Sequence, residues 1–181
     1  RDGGASPSAA ARRGGEALEV LDQLLILGQV ALAMALSAVV GYERELAHKP
    51  AGLRTHMLVA GAAALVVALG LTIVKRFGAG EYPLVRVDPV VVIQAVVTAV
   101  GFLGAGTILH AARAGREGEI HVEGLTTAAS LLFVAALGTC VALGQTWLAL
   151  GVTALAWLTL RGVARFEKSI RRKRGEEPPA P

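Results

Sequence analysis

This sequence predicts an all-α, polytopic membrane protein: a bundle of five transmembrane helices, with the N-terminus outside and the C-terminus cytoplasmic. Three observations predict it. The 181 residues are 54% hydrophobic and 18% charged, where a soluble domain carries about 25% charged. The charges are confined to short segments between long uncharged runs. The Lys and Arg residues in those segments fall mostly on one side of the implied membrane.

Each run accounts for one or two elements. Residues 23–42 hold no Asp, Glu, Lys or Arg, and predict a first helix over 24–42. Residues 55–74 are a second such run, predicting a helix over 55–74 that Thr55 is placed to cap. Residues 89–112 predict a third, over 90–109, with Asp88 as N-cap and Pro89 at the first helical position. About 20 apolar residues cross a bilayer, so each of these runs fits one crossing. The fourth run, 124–160, would make a helix of roughly 55 Å. It is broken near its middle by Gly144-Gln145-Thr146, which predicts two helices, over 125–143 and 146–163, joined by a tight turn.

Flanking these helices are a polar arm over 1–22, expected to lack order, and a basic, Pro-ended cytoplasmic tail over 165–181. The five-helix domain between them spans 23–164. Twelve of the 18 Lys and Arg residues fall in the loop after the first helix, the loop after the third, and the stretch from Arg161 through the tail. The basic side of a membrane protein is cytoplasmic, which sets the orientation. The pI near 9.7 therefore reports orientation, and nothing like a nucleic-acid-binding motif accompanies it. Tyr42, Tyr82 and Trp147 are the nearest candidates for an interfacial aromatic belt.

The composition excludes other classes. A single cysteine, Cys140, rules out a disulfide scaffold and a cysteine-rich zinc site. Nucleophile–base pairs at a familiar spacing, HExxH and Walker loops are all missing, so the sequence predicts no enzyme and no catalytic residue. Small residues recur at spacing four: Ala33, Ser37 and Gly41; Gly101 and Ala105; Ala136, Cys140 and Gly144. Such stripes allow close helix packing in lipid. The glycines Gly101, Gly104 and Gly106 allow either a close crossing or an unwound stretch beside a wet cavity.

Ionisable and amide groups in or near a membrane segment are costly and are the default functional candidates. Gln94 sits one turn into the third helix, and the densest polar cluster, with Glu43, Arg44, Glu45, Arg54 and His56, straddles the loop after the first helix. Glu43 and Arg54 sit at the facing ends of consecutive helices, where a pair is plausible. Glu43 and Glu45 are two apart and point in different directions on a helix, which argues against both holding one ion. The sequence therefore assigns no metal site, with Glu43 the only speculative ligand. His110 and His121 flank the loop after the third helix.

Several segments together resemble the MgtC/SapB family of bacterial membrane proteins. They are Gly41-Tyr42-Glu43-Arg44-Glu45, then Lys49-Pro50-Ala51-Gly52-Leu53-Arg54-Thr55-His56. Gln94 and Val100-Gly101-Phe102-Leu103-Gly104-Ala105-Gly106-Thr107 follow, and Gly124-Leu125-Thr126-Thr127-Ala128-Ala129-Ser130 comes last. Pro50, Gly52, Gly101, Gly104, Gly106, Gly124, Thr126 and Thr127 are the structural residues of these motifs. The resemblance implies a five-helix protein of the bacterial inner membrane, linked to magnesium homeostasis and, in some relatives, to survival in host cells. It implies no cofactor, with Mg2+ as a transported or sensed ion. It also implies an alternative: a non-transporting regulator that docks on another membrane complex, such as the proton-translocating ATP synthase. The expected partners are the bilayer, such a complex or a second copy of the chain, and no nucleic acid. Two departures stand out. Glu123 replaces the family's basic residue before Gly-Leu-Thr-Thr, and the sequence stops before the cytoplasmic ACT-like domain of the longer members, as expected of the short form or of a truncation.

Overall fold

The computed structural model describes residues 9–77, 88–114 and 123–174, with side chains described for 19–75, 88–109 and 124–162. Five helices follow in order: α1 (Ala9–Leu46), α2 (Leu53–Phe77), α3 (Pro89–Ala114), α4 (Glu123–Ala142) and α5 (Thr146–Arg174). Four of them contain stretches long and apolar enough to cross a membrane: Glu19–Leu46, Leu53–Lys75, Pro89–Leu109 and Gly124–Ala142. Tyr82, His121, Arg116 and the last residues of the tail lie outside the described residues, as do the side chains of His110, Arg113 and Glu123.

Two helices run beyond the lengths the uncharged runs predict. α1 starts at Ala9, inside the arm expected to lack order, and α5 continues to Arg174, into the basic tail. Ala, Arg, Lys and Glu are strong helix formers, and hydropathy marks only where a helix crosses lipid.

The helix ends follow local chemistry. Asp88 caps α3 as expected: its Oδ1 accepts the Val90 N–H at 2.9 Å, with Pro89 between them. α2 departs from expectation. Thr55 lies exposed within its first turn, and the carboxylate of Glu45 caps the helix instead, accepting the Leu53 N–H at 2.8 Å. α4 ends in a Schellman turn: the Gly144 N–H donates to Val141 O, the Gln145 N–H donates to Cys140 O, and Gly144 sits at φ 74°. α1 ends the same way, with Lys49 N–H to Arg44 O and His48 N–H to Glu45 O. Here the left-handed position is occupied by His48 (φ 52°), where glycine fits better.

α4 is the hub, touching each of the other four helices. α1, α2 and α4 share the central seam, α5 packs on α1 and α4, and α3 sits outside against α4 and α2. The seam is lined by Ala33 and Val40 of α1, Ala60, Ala64 and Val67 of α2, and Leu131, Val134 and Leu137 of α4. Lipid gives apolar helices no hydrophobic reason to associate, so contact depends on close approach and polar bonds. Glycine supplies the approach at two points. A Cβ on Gly138 would run into the carbonyl oxygen of Ala60 on α2. A Cβ on Gly41 would lie 2.9 Å from Leu53 Cα and 3.0 Å from His56 Cβ.

Two stability changes of opposite sign are expected in detergent unfolding. His48→Gly relieves the left-handed strain and raises stability by about 1 kcal/mol. Gly138→Val forces α2 and α4 apart and lowers it by roughly 1–3 kcal/mol. A neutral Gly138→Val contradicts the packing.

Candidate functional site

The buried stripes of α1, α2 and α4 are small and apolar through most of their length, then turn polar at one shared end. On α1 the stripe runs Ala33, Ser37, Val40, Arg44, with Glu43 beside it; all are buried. On α2 it begins with His56, and on α4 with Thr127 and Ser130, again buried. α1 ends here while α2 and α4 begin here, so residues from three helices meet.

His56 is fully buried and ties α2 to α4. Its Nδ1 lies 2.8 Å from the Gly52 carbonyl oxygen. A carbonyl only accepts, so Nδ1 carries the proton. Its Nε2 lies 3.0 Å from Ser130 Oγ, across 74 residues of sequence. Ser130 Oγ is also 2.8 Å from Thr127 O, so one hydroxyl proton serves either the carbonyl or the ring. The ring thus fixes the first turn of α2 against the first half of α4.

At the same end are buried polar atoms without a hydrogen bond. Glu43 is 9% exposed and Arg44 5%. Glu43 Oε2, Arg44 Nε, Arg44 Nη2 and Thr127 Oγ1 are buried without a hydrogen bond. Arg44 lies within Coulombic reach of both Glu43 and His56. The expected Glu43–Arg54 pair does not form: Arg54 is exposed and Glu43 Oε2 stands alone.

The structure divides the sequence candidates in two. Glu43, Arg44, His56 and Thr127 converge at the polar end. Glu45 is exposed and holds the start of α2, and Gly52 leaves it room, since a Cβ there would lie 2.8 Å from Glu45 Oε2. Gln94 is elsewhere, exposed on α3. Pro50 and Thr126 are exposed. Gly104 packs on Ala128, and Gly124 on the Ile108 backbone. Gly101 and Gly106 face open space, and α3 is unbroken through all three glycines, so the unwound stretch does not occur. Among the described residues no group of three His, Cys, Asp or Glu side chains is placed to hold a metal. Ser130 is the residue of this polar end that sequence reasoning passed over, because a membrane serine usually bonds its own helix. Ser130 does so too, and its contact with His56 is visible only once α2 and α4 are packed.

A second feature lies outside the seam. Gln94, Thr98, Gly101 and Ala105 follow one another at helical spacing along α3, and all are exposed. Beside them a groove of about 270 Å³ runs between α3 and α4, lined by Val97, Gly101, Gly104, Ala105, Ala128 and Ala129 among others. Phe102, which follows Gly101 on α3, is 81% exposed.

Comparison with known proteins adds a family. The MgtC family model matches residues 30–169. SrpB of Synechococcus elongatus is 37% identical over 149 residues, covering 81% of this chain and 79% of SrpB. A Haemophilus influenzae protein is 34% identical over 156 residues, covering 84% of this chain and 61% of its own length. YhiD of Escherichia coli K12, by its name a candidate magnesium transporter, is 36% identical over 117 residues, covering 63% of this chain and 49% of YhiD. The chain thus spans about half to four-fifths of these relatives. No solved structure matches it.

The His56 contact has a measurable signature. Ser130→Ala is expected to cost about 1 kcal/mol, the net worth of one buried hydrogen bond. His56→Ala is expected to cost roughly 2–4 kcal/mol, through a cavity and the lost bond from α2 to α4. A double-mutant cycle should give a coupling of about 1 kcal/mol. Additive losses would show that the two side chains do not bond.

Proposed function

Because this chain belongs to the MgtC family, we propose that it serves magnesium or ion homeostasis in the bacterial cytoplasmic membrane by docking on another membrane complex. In this reading α5 makes the fifth crossing, the N-terminus is outside, and the polar end of the seam faces the cytoplasm. Exposed Tyr42, at the end of α1, and Trp147, at the start of α5 and 87% exposed, then mark opposite interfaces.

The observation that carries the reading is the outer face of α3. An amide in lipid seeks a partner, and Gln94 faces away from the rest of the bundle, in line with Thr98, Gly101 and Ala105. A polar group above small residues is the surface on which membrane helices pack. The Gly and Ala groove beside it suits a helix of another protein, such as a subunit of the ATP synthase that the family resemblance suggests.

Conduction has weaker support. A transport pathway needs Glu43, Arg54, His56 and Gln94 around one cavity. His56 is locked between α2 and α4, while Gln94 and Arg54 are exposed on other faces. The seam between is filled with Ala, Val and Leu, and Mg2+, which keeps a hydrated octahedral shell, would find Arg44 beside the Glu43 carboxylate.

A photo-crosslinking residue at Phe102, used in native membranes, is expected to capture one defined partner. Gln94→Leu should reduce that yield severalfold. Proteoliposomes holding the chain alone should pass no Mg2+ above background. Magnesium flux that Glu43→Gln abolishes would overturn the docking reading.

A further inference from the structure

We propose that the polar end of the α1–α2–α4 seam is an oxyanion site built on Arg44, which takes a phosphate group. The proposal stands whether the chain docks or conducts, since it concerns neither the α3 face nor a pathway through the seam.

Arg44 carries the argument. Nε and Nη2 form the side edge of the guanidinium, two parallel N–H directions that match two oxygens of one phosphate. Both atoms are buried, and neither has a partner. An arginine near a helix end ordinarily reaches outward to water and keeps only its stem in the apolar layer. Arg44 instead continues the buried stripe of α1 and is 5% exposed. Thr127 Oγ1, on the α4 face that meets His56, is a further hydroxyl donor without a partner.

The sign of the ligand follows from what surrounds these donors. α2 and α4 both begin at this end, so their N-terminal N–H groups add partial positive charge. One of those groups, Leu53 N–H, already holds a carboxylate oxygen, that of Glu45. Arg54, in the first turn of α2, is exposed and adds a positive charge at the rim of this end. Two features oppose an anion: the C-terminal carbonyls of α1, which ends here, and Glu43, the buried carboxylate among the described residues. The level suits a phosphate as well: Arg44 is two residues short of the end of the Glu19–Leu46 span, where lipid headgroups lie. Basic sites between membrane helices at this level bind anionic headgroups.

Two sources supply this chemistry, an anionic lipid headgroup and free phosphate. The full chain is placed in phosphatidylcholine nanodiscs and titrated with inorganic phosphate by calorimetry. In parallel, mixed phosphatidylglycerol and phosphatidylcholine nanodiscs are examined by native mass spectrometry for retained lipid. Binding in the first arm assigns free phosphate, and selective retention of phosphatidylglycerol assigns the lipid; either supports the proposal. Arg44→Lys keeps the charge and loses the paired edge, and should weaken binding about tenfold or more. Thr127→Val should weaken it severalfold. Glu43→Gln should strengthen it. The last two variants decide the matter if Arg44→Lys fails to fold. Absence of both phosphate binding and phosphatidylglycerol preference in the wild type overturns the proposal. So does Arg44→Lys binding as well as the wild type, or a Glu43→Gln variant that binds more weakly.

Discussion

The arrangement depends on one buried ring. His56 bonds back to the Gly52 carbonyl and across to Ser130, so a single side chain sets how α2 starts and where α4 lies against it. In lipid the apolar faces of these helices contribute shape but little directional preference. Glycine and alanine let the backbones approach, and Gly138 on Ala60 is the closest point. Close approach alone allows helices to slide, and a hydrogen bond between fixed residues does not.

That bond also explains where polarity can reside. α4 touches every other helix, and once its position is set, the seam it shares with α1 and α2 is filled with small apolar side chains. Along the buried stripes Ser37 is satisfied by its own helix, and the charged groups lie only at the end, with Glu43 and Arg44 at the level of His56, Thr127 and Ser130. α3 belongs to a different regime. It leans on α4 and α2 from outside and leaves its amide and its small residues uncovered. The chain thus carries two separate surfaces of interest, an enclosed polar end and an open helix face.

Much of the fold was legible in the sequence, because each charge-free run lies within one or two helices. Asp88-Pro89 marked the start of α3 and Gly144 the turn before α5, each through chemistry within a few residues. Facing was not legible. α3 is apolar all round, so no periodicity tells which side Gln94 takes. Thr55 was the expected cap of α2, and Glu45 takes that role instead, since the loop folds back and brings a carboxylate from α1. His56 and Ser130 are 74 residues apart, and neither carries a local signal of the other. Arg44 read as a loop charge because a stripe of Ala, Ser and Val does not announce an arginine as its next member. The lengths of α1 and α5 were underestimated for a related reason, as hydropathy ends at the membrane and helix propensity does not.

The central claim is that the seam among α1, α2 and α4 is a packed contact and not a path for ions. Water accessibility tests it most directly. With Cys140 replaced by alanine, single cysteines at Ala60, Ala64 and Val134 are exposed in intact membranes to a small, water-soluble thiol reagent. All three are predicted to stay unmodified from either side, while a cysteine at exposed Arg54 reacts. Rapid labelling at Ala64 and Val134 would reveal water along the seam and contradict the account.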